Sequence, residues 1–176
     1  LNGNVWEWNA GMRLVDGEIQ IIPYNNAAMG SKCDMSASST LWKAIKADGS
    51  LVEPGTAGTL KWDWVSGKIQ LTSGAITYKT DSGVGGQYKD MTLASGLTAP
   101  EIAKMLLLYP DEPNGDYAGD YHWFNPVGER LPICGGNWNN GANAGVFNLN
   151  LNNPRSNANW NIGFRSALPS SQMLQT

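Results

Sequence analysis

Short stretches in which hydrophobic and polar residues alternate recur along the chain, and they predict β-strands. Between residues 12 and 22 such stretches flank Asp16-Gly17, a pair that suits a two-residue type I′ turn, so a β-hairpin is expected there. Residues 60–65 also alternate, turn at Ser66-Gly67 and return through residues 68–71. This second pattern predicts another hairpin, with one face that carries Leu60, Trp62 and Trp64.

A helical pattern is found in two segments. Ser38 or Ser39 could cap a short helix over residues 41–46. The run Thr98-Ala99-Pro100-Glu101 combines a capping box with a proline in the first turn, and it predicts a helix that ends at Pro110. The buried stripe of this helix would be formed by Ile102, Met105 and Leu106.

The segments between these elements are expected to be loops. The glycines at 83–86 predict a turn, and the Asp, Gly and Pro residues of 111–120 predict a polar loop. Residues 169–176 are expected to form a disordered tail. At the other terminus the sequence begins within a strand pattern that has no capping or turn segment before it. We therefore expect the chain to be a fragment.

Asparagine is concentrated near the C-terminus of the chain. Eleven asparagines lie between Asn137 and Asn161, and only seven lie elsewhere. Because asparagine is a poor helix and strand former, folding alone does not explain this excess. Over residues 146–152 the asparagines alternate with apolar residues, which predicts a strand with two unlike faces. The apolar face would carry Phe147, Leu149 and Leu151, and the amide face Asn148, Asn150 and Asn152.

Composition bounds the class of protein. A chain of 176 residues is long enough for one domain, expected over residues 1–168. The net charge is −3 without clustered cations, which argues against nucleic acid as a partner. No apolar run approaches the ~18 residues of a membrane span. Abundant glycine and tryptophan favour short strands and long ordered loops. Cys33 and Cys134 could pair or stay free, since their spacing does not decide.

Three motifs together carry a family resemblance. Residues 3–8 (Gly-Asn-Val-Trp-Glu-Trp), Gly135-Gly136-Asn137-Trp138 and residues 161–165 (Asn-Ile-Gly-Phe-Arg) resemble the C-type-lectin-fold superfamily, which includes the formylglycine-generating, sulfatase-modifying enzymes. Residues 130–168 resemble the variable region of diversity-generating retroelement proteins of phages and their bacterial hosts. The resemblance places a variable region at about 135–168. It also implies an α+β, C-type lectin fold of short twisted antiparallel strands, one or two helices and extensive loops.

The resemblance also implies a cause for the asparagines. In that family, reverse transcription randomises adenines, so Asn codons are the main mutable sites, while the frame between them stays fixed. The chain looks close to an unmutated template. The family's N-terminal strand and helices, which precede the first motif, are expected to be missing from this chain. The residues that match variable positions, and are expected to form the binding face together with Trp160, are Asn139, Asn140, Asn143, Asn148, Asn150, Asn153, Asn157 and Asn159.

Neighbouring residues are expected to support the fold. Asn137, Asn152 and Asn161 would satisfy loop or strand-edge backbone groups. Trp138 is interpreted as a core anchor, whereas Trp160 could be core or an interaction hot spot. Arg155 and Arg165 would tie loop carbonyls together, and Glu7, in a buried Trp-Glu-Trp strand, would pair with one of these arginines.

The expected function is non-catalytic binding of a bacterial or host surface protein or glycan by a phage receptor-binding or adhesin module, on a virion or cell surface. The missing N-terminal segment is a further expected partner. No cofactor is expected.

Three alternatives remain open. The first is a calcium-dependent carbohydrate-binding lectin, because residues 111–114 contain the Glu-Pro-Asn triplet of such lectins, with Asp116 and Asp120 as further oxygen donors. A formylglycine-generating-type oxidase is disfavoured, because its cysteine pair has no counterpart in residues 150–161. A single histidine, His122, disfavours iron or triad chemistry and is interpreted as a surface or packing residue. A structural virion protein without a ligand is the third alternative.

Overall fold

The computed structural model describes residues 4–24 and 26–164. Within them the strands are β1 Trp6–Trp8, β2 Met12–Val15, β3 Glu18–Ile21, β4 Lys43–Ile45, β5 Leu51–Val52, β6 Lys61–Val65, β7 Lys68–Thr72, β8 Val84–Gln87, β9 Thr92–Leu93, β10 Tyr121–Phe124, β11 Glu129–Cys134, β12 Leu149–Asn153 and β13 Ile162–Gly163. The α-helix of this part of the chain, α1, is Glu101–Met105, and 3₁₀ turns occupy Asn26–Lys32, Tyr88–Asp90 and Gly141–Asn143.

The strands form one mixed sheet. Its main path runs β8-β10-β12-β11-β2-β3-β6-β7-β9. β1 pairs with the later half of β11 and carries β13 on its other edge, while β4 and β5 extend from β3. Most neighbours are antiparallel, but β12 runs parallel to β10, β13 to β1 and β9 to β7. The Asn-bearing strand β12 is therefore an interior strand, with β10 on one side and β11 on the other.

The expected α+β, C-type lectin fold is wrong, because the fold is β-rich. The described residues form thirteen strands and one α-helix of five residues. The helix expected over 41–46 is also wrong: Lys43–Ile45 is strand β4, paired with β3 and β5. Ala44 and Ile45 are fully buried there. Pairing with β3 buries these apolar side chains, and tertiary burial outweighs the weak local preference for helix.

The second expected helix exists but is shorter. α1 starts after Pro100, which makes no side-chain cap, so the expected capping box does not form. Ala103 is the residue that α1 buries, whereas Met105 is 81% exposed and Leu106 is also exposed. Leu107 has a φ of 57°, in the left-handed region, and a right-handed helix cannot continue through it. The stripe of Ile102, Met105 and Leu106 is therefore wrong apart from the half-buried Ile102.

Both expected hairpins are confirmed. β2 and β3 pair around Asp16-Gly17, where both residues have positive φ, as a type I′ turn requires. β6 and β7 pair around Ser66-Gly67, with positive φ at both turn residues again. The loop expected over 111–120 is also confirmed, since no helix or strand occurs there.

The glycines at 83–86 do not form the expected turn. Val84–Gln87 is edge strand β8, which pairs with β10. A Cβ atom on Gly85 would lie 2.5 Å from the His122 carbonyl oxygen and 2.6 Å from the Trp123 ring. Glycine is needed here because β10 and its aromatic side chains approach the backbone closely.

The main hydrophobic core gathers side chains from the central strands. Leu149 and Leu151 of β12 enter it, as the alternation predicts, and Phe147 packs partly against it. Trp62 of β6 is fully buried and donates a hydrogen bond from its ring nitrogen to the Leu108 carbonyl at 3.0 Å. The core therefore fixes the position of the Asn-bearing strand from one side of the sheet.

Some expectations fall outside the described residues. These are Arg165 and the tail 169–176. Cys33 and Cys134 are both free, so the open question of a disulfide is resolved against pairing.

Candidate functional site

Four strand ends meet at one end of the sheet. β11 ends opposite the start of β12, and β1 starts beside the start of β13. The loops at this end are residues 135–148 and 158–161, which together we call the Asn-rich end. Backbone bonds join both loops to the start of β1: Trp138 N–H donates to the Asn4 carbonyl (3.3 Å), and Trp6 N–H donates to the Asn161 carbonyl (2.8 Å). Asn4 and Trp6 are two residues apart, at most ~7 Å along the chain.

Buried polar groups hold the longer loop in place. Gly135 and Gly136 both have positive φ and turn the chain out of β11. The Phe147 N–H then donates to the buried Asp120 carboxylate at 2.7 Å, and its carbonyl accepts from His122 Nε2 at 2.6 Å. The C-terminal end of the loop is thus fixed before β12 begins.

The two buried anchors have shifted acidities. Burial lowers the pKa of His122 to about 4, although its bond to the Phe147 carbonyl opposes the shift. Burial also raises the pKa of Asp120, against the effect of the Phe147 N–H. Because His122 is fully buried and stacked on Tyr88 at 4.4 Å, its interpretation as a packing residue is confirmed. Its Nδ1 has no hydrogen-bond partner among the described residues.

The structure separates the asparagines expected to form the binding face. Asn139, Asn143 and Asn159 are exposed at the Asn-rich end. Asn140 is half-buried, and its Oδ1 accepts the Asn137 N–H at 2.7 Å. Asn148 is only 2% exposed and donates from its side-chain amide to the Asn143 carbonyl. It therefore belongs to the loop's internal support, and the expectation that it faces a ligand is not met in this conformation.

Three other expected face residues bind one another instead. The Asn150 Oδ1 accepts from Asn153 Nδ2 at 3.2 Å, and the Asn153 Oδ1 accepts from Asn157 Nδ2 at 2.7 Å. All three are half-buried. Asn153 closes the far end of β12, so this amide chain leads away from the Asn-rich end. Within the described part of the chain, Asn150, Asn153 and Asn157 therefore bind one another and are not hydrogen-bonded to the exposed asparagines of the Asn-rich end.

The asparagines expected to be structural are buried or half-buried. Asn137 is 4% exposed, and Asn152 and Asn161 are half-buried. The side-chain oxygens of all three lack a hydrogen-bond partner among the described residues. Their expected role of satisfying backbone groups through those oxygens is therefore not seen.

Two tryptophans project from the Asn-rich end. Trp138 is 66% exposed, so its interpretation as a core anchor is wrong. The backbone just before Trp138 is still buried, since Asn137 is 4% exposed, and the Trp138 N–H is bound by the Asn4 carbonyl, so the indole alone projects into solvent. Trp160 is 72% exposed. Val146, which the sequence did not single out, is also 71% exposed at this end.

Arg155 has a structural role, but the expectation that it ties loop carbonyls together is not met, because its guanidinium binds a carboxylate. Its Nε and Nη2 donate to Glu129 at 2.9 and 2.8 Å, and Arg13 donates to the same carboxylate at 2.8 Å. Arg155, followed by Arg13, lowers the pKa of Glu129. Trp6 is buried, as expected, and Trp8 half-buried.

The alternatives that the sequence left open can be compared with the described side chains. Within residues 4–24 and 26–164, no three His, Cys, Asp or Glu side chains come together as a metal would require. In the acidic loop, Asp111 accepts from the Tyr117 hydroxyl, while Asp120 points to Phe147. Burial raises the pKa of the Cys134 thiol, which makes it a weaker nucleophile at neutral pH.

The chain matches no protein-family model and resembles no curated protein closely enough to count as a relative. In the described part of the chain, no helix is both long and apolar enough to cross a bilayer.

Proposed function

We propose that this protein is a non-catalytic binding domain whose Asn-rich end recognises a molecule on a bacterial or host surface. The observation that carries the proposal is the exposure of Asn139, Asn143, Asn159 and two tryptophans on loops joined to the same strand start. Exposed asparagines and apolar side chains in one place are typical of interaction surfaces, where adaptable amides surround aromatic residues. The proposed binding needs neither a catalytic residue nor a metal.

The conformation of the longer loop, residues 135–148, supports this function because the bonds that hold it do not involve the exposed amides of Asn139 and Asn143. The Asp120 and His122 bonds to Phe147 fix the loop from its buried side. Substitutions on the solvent side should then cost within about 0.5 kcal/mol. A preorganised surface also loses less entropy when it binds. These are the properties that a display scaffold for variable side chains requires.

The resemblance to variable proteins of diversity-generating retroelements fits this arrangement. The exposed asparagines lie where that family varies, and their codons begin with two adenines. We extend the proposal accordingly to a phage receptor-binding or adhesin module that acts at a virion or cell surface. The proposal is confined to the three exposed asparagines and leaves Asn148 to the loop's interior.

A library selection tests the binding function. Asn139, Asn143 and Asn159 are randomised together, the library is displayed on yeast, and binders are selected with hen egg-white lysozyme as a defined probe. A control library randomises three exposed residues elsewhere, Thr56, Ala57 and Lys68. The proposal expects binders from the first library at a frequency at least about tenfold above the control. Equal yields from both libraries would contradict it.

The gene gives an independent test. The proposal expects a near-copy of the coding stretch for residues 135–168 in the neighbouring DNA, differing only at adenines, beside a reverse transcriptase gene. A genome with neither feature would refute the retroelement part of the proposal, while the library result would still decide the binding part.

A further inference from the structure

Two indole rings are presented to solvent where the fold does not need them. Trp138 is 66% and Trp160 72% exposed, so most of their apolar area contributes nothing to the core. Each is a sequence neighbour of an exposed asparagine, Asn139 and Asn159 respectively. Solvent-facing tryptophan within a candidate interface is the side chain most often found at binding hot spots.

The backbone beneath both rings is fixed. The Trp138 N–H is bound by the Asn4 carbonyl at 3.3 Å. The turn that carries Trp160 is closed by the Ile162 N–H, which donates to the Asn159 backbone carbonyl at 3.1 Å. The Asn161 carbonyl that follows accepts from the Trp6 N–H. Only the two side-chain torsions of each indole remain to be ordered on binding, which keeps the entropic cost small.

The charges around the rings restrict the partner. Between residues 135 and 161 the only charged residue is Arg155, which is bound to Glu129. The two loops that carry the rings therefore contribute no unpaired charge to this surface. Its neighbour is the acidic loop 111–120, which reaches it where Gly119 lies against Ala142. Asp111, Glu112 and Asp116 are exposed on that loop. A surface with exposed apolar rings and an acidic loop beside it complements an apolar patch edged by basic side chains.

We infer that Trp138 and Trp160 are the constant affinity anchors of this binding surface, and that its partner is a protein surface whose apolar patch is edged by basic side chains. The inference rests on the proposed function and states which side chains supply most of the binding free energy. Tryptophan has one codon, TGG, which contains no adenine, so adenine-directed change would leave both anchors in every variant. The neighbouring amides would then set specificity while the indoles supply affinity.

The test uses clones from the lysozyme selection, since lysozyme is a basic protein. Trp138→Ala, Trp160→Ala and the double variant are made in the tightest clones, with Tyr24→Ala as the matched control, because Tyr24 is 87% exposed elsewhere. Dissociation constants are measured by biolayer interferometry. We expect at least one Trp variant to weaken binding about 30-fold, equivalent to about 2 kcal/mol, and Tyr24→Ala to change it less than about threefold.

The controls distinguish loss of folding from loss of binding, and failure of this inference from failure of the proposed function. Because both rings are exposed, the melting temperature of each Trp variant should stay within about 2 °C of the parent, so lost binding is not lost folding. Binders that keep their affinity in the double Trp variant would overturn the anchors but leave the proposed function standing. A parallel selection that yields binders to mannan and none to lysozyme would overturn the inferred protein partner. Absence of binders to any probe would contradict the proposed function itself.

Discussion

Asn143 and Asn148 take part in the same hydrogen bond, but substitution should destabilise the fold at Asn148 and leave its stability nearly unchanged at Asn143. The Asn148 side-chain amide donates to the backbone carbonyl of Asn143, so the bond uses the side chain of one residue only. Asn148 is 2% exposed, whereas the Asn143 side chain is exposed. Asn143→Tyr should therefore leave the bond intact, while Asn148→Tyr removes it and forces a phenol ring into a filled site.

The expected magnitudes follow from burial. Asn148→Tyr adds overpacking of about 1–3 kcal/mol to the loss of a hydrogen bond and an unpaired carbonyl, about 1–3 kcal/mol more. For a chain of this length about 4 kcal/mol lowers the melting temperature by roughly 8–16 °C. Asn143→Tyr should change it by no more than about 2 °C. Differential scanning calorimetry of the two variants and the parent measures both. Equal shifts for the two variants would refute the assignment of Asn148 to the loop's interior.

Three further predictions concern the groups that hold the fold. His122 has a pKa of about 4 in the folded protein and about 6.5 in the unfolded chain, so the unfolded chain binds the extra proton between these two pH values. The free energy of unfolding should therefore fall by about 3 kcal/mol as the pH drops from 6.5 to 4. Urea melts at pH 7.0 and 4.5 should show most of this loss in the parent and not in His122→Gln. Asp63 is 2% exposed, and its carboxylate accepts hydrogen bonds from Thr77 and Tyr78. Asp63→Ala should therefore lower the free energy of unfolding by about 3 kcal/mol in urea melts at pH 7.0, and a loss below about 1 kcal/mol would contradict the role of Asp63 in holding this loop. Glu129→Ala removes the carboxylate that pairs with the buried Arg13 guanidinium, which keeps its bonds to Gln20 and the Ala37 carbonyl, and should cost about 3 kcal/mol in the same assay. Arg155→Ala removes a partly exposed partner and should cost at most about 1 kcal/mol, so the reverse order would be inconsistent with this ion pair.

The hairpins could be predicted because their information is local. Asp16-Gly17 and Ser66-Gly67 adopt the positive φ angles that two-residue turns need, and the flanking strands alternate around them. The error at 41–46 has the opposite origin. Ala44 is compatible with either structure in isolation, and its strand conformation is set by pairing with Gln20, which is distant in sequence. A local pattern cannot report that contact.

The aromatic and asparagine positions of the site could be predicted only in part. The sequence identified the Asn-rich segment, and the loops at the Asn-rich end belong to it. It misplaced Trp138, because a Gly-Gly-x-Trp run is compatible with either a buried or an exposed ring, and the position of this residue depends on a backbone bond to Asn4, which is distant in sequence. The sequence allows Asp120 as a cation ligand, whereas its bond to Phe147 depends on a contact between distant segments.

The amide face of β12 shows why alternation alone cannot locate a binding surface. A period of two separates the faces of a strand, but it identifies an exposed face only when one side of the sheet meets solvent. β12 lies between β10 and β11, and Asn150 pairs with Trp123, whose ring packs against the buried Trp6 at 5.7 Å. The face opposite the core is thus partly covered by aromatic side chains. Variation that leaves the fold intact should therefore concentrate at the strand ends, where Asn139, Asn143 and Asn159 lie on loops, rather than along the strand itself.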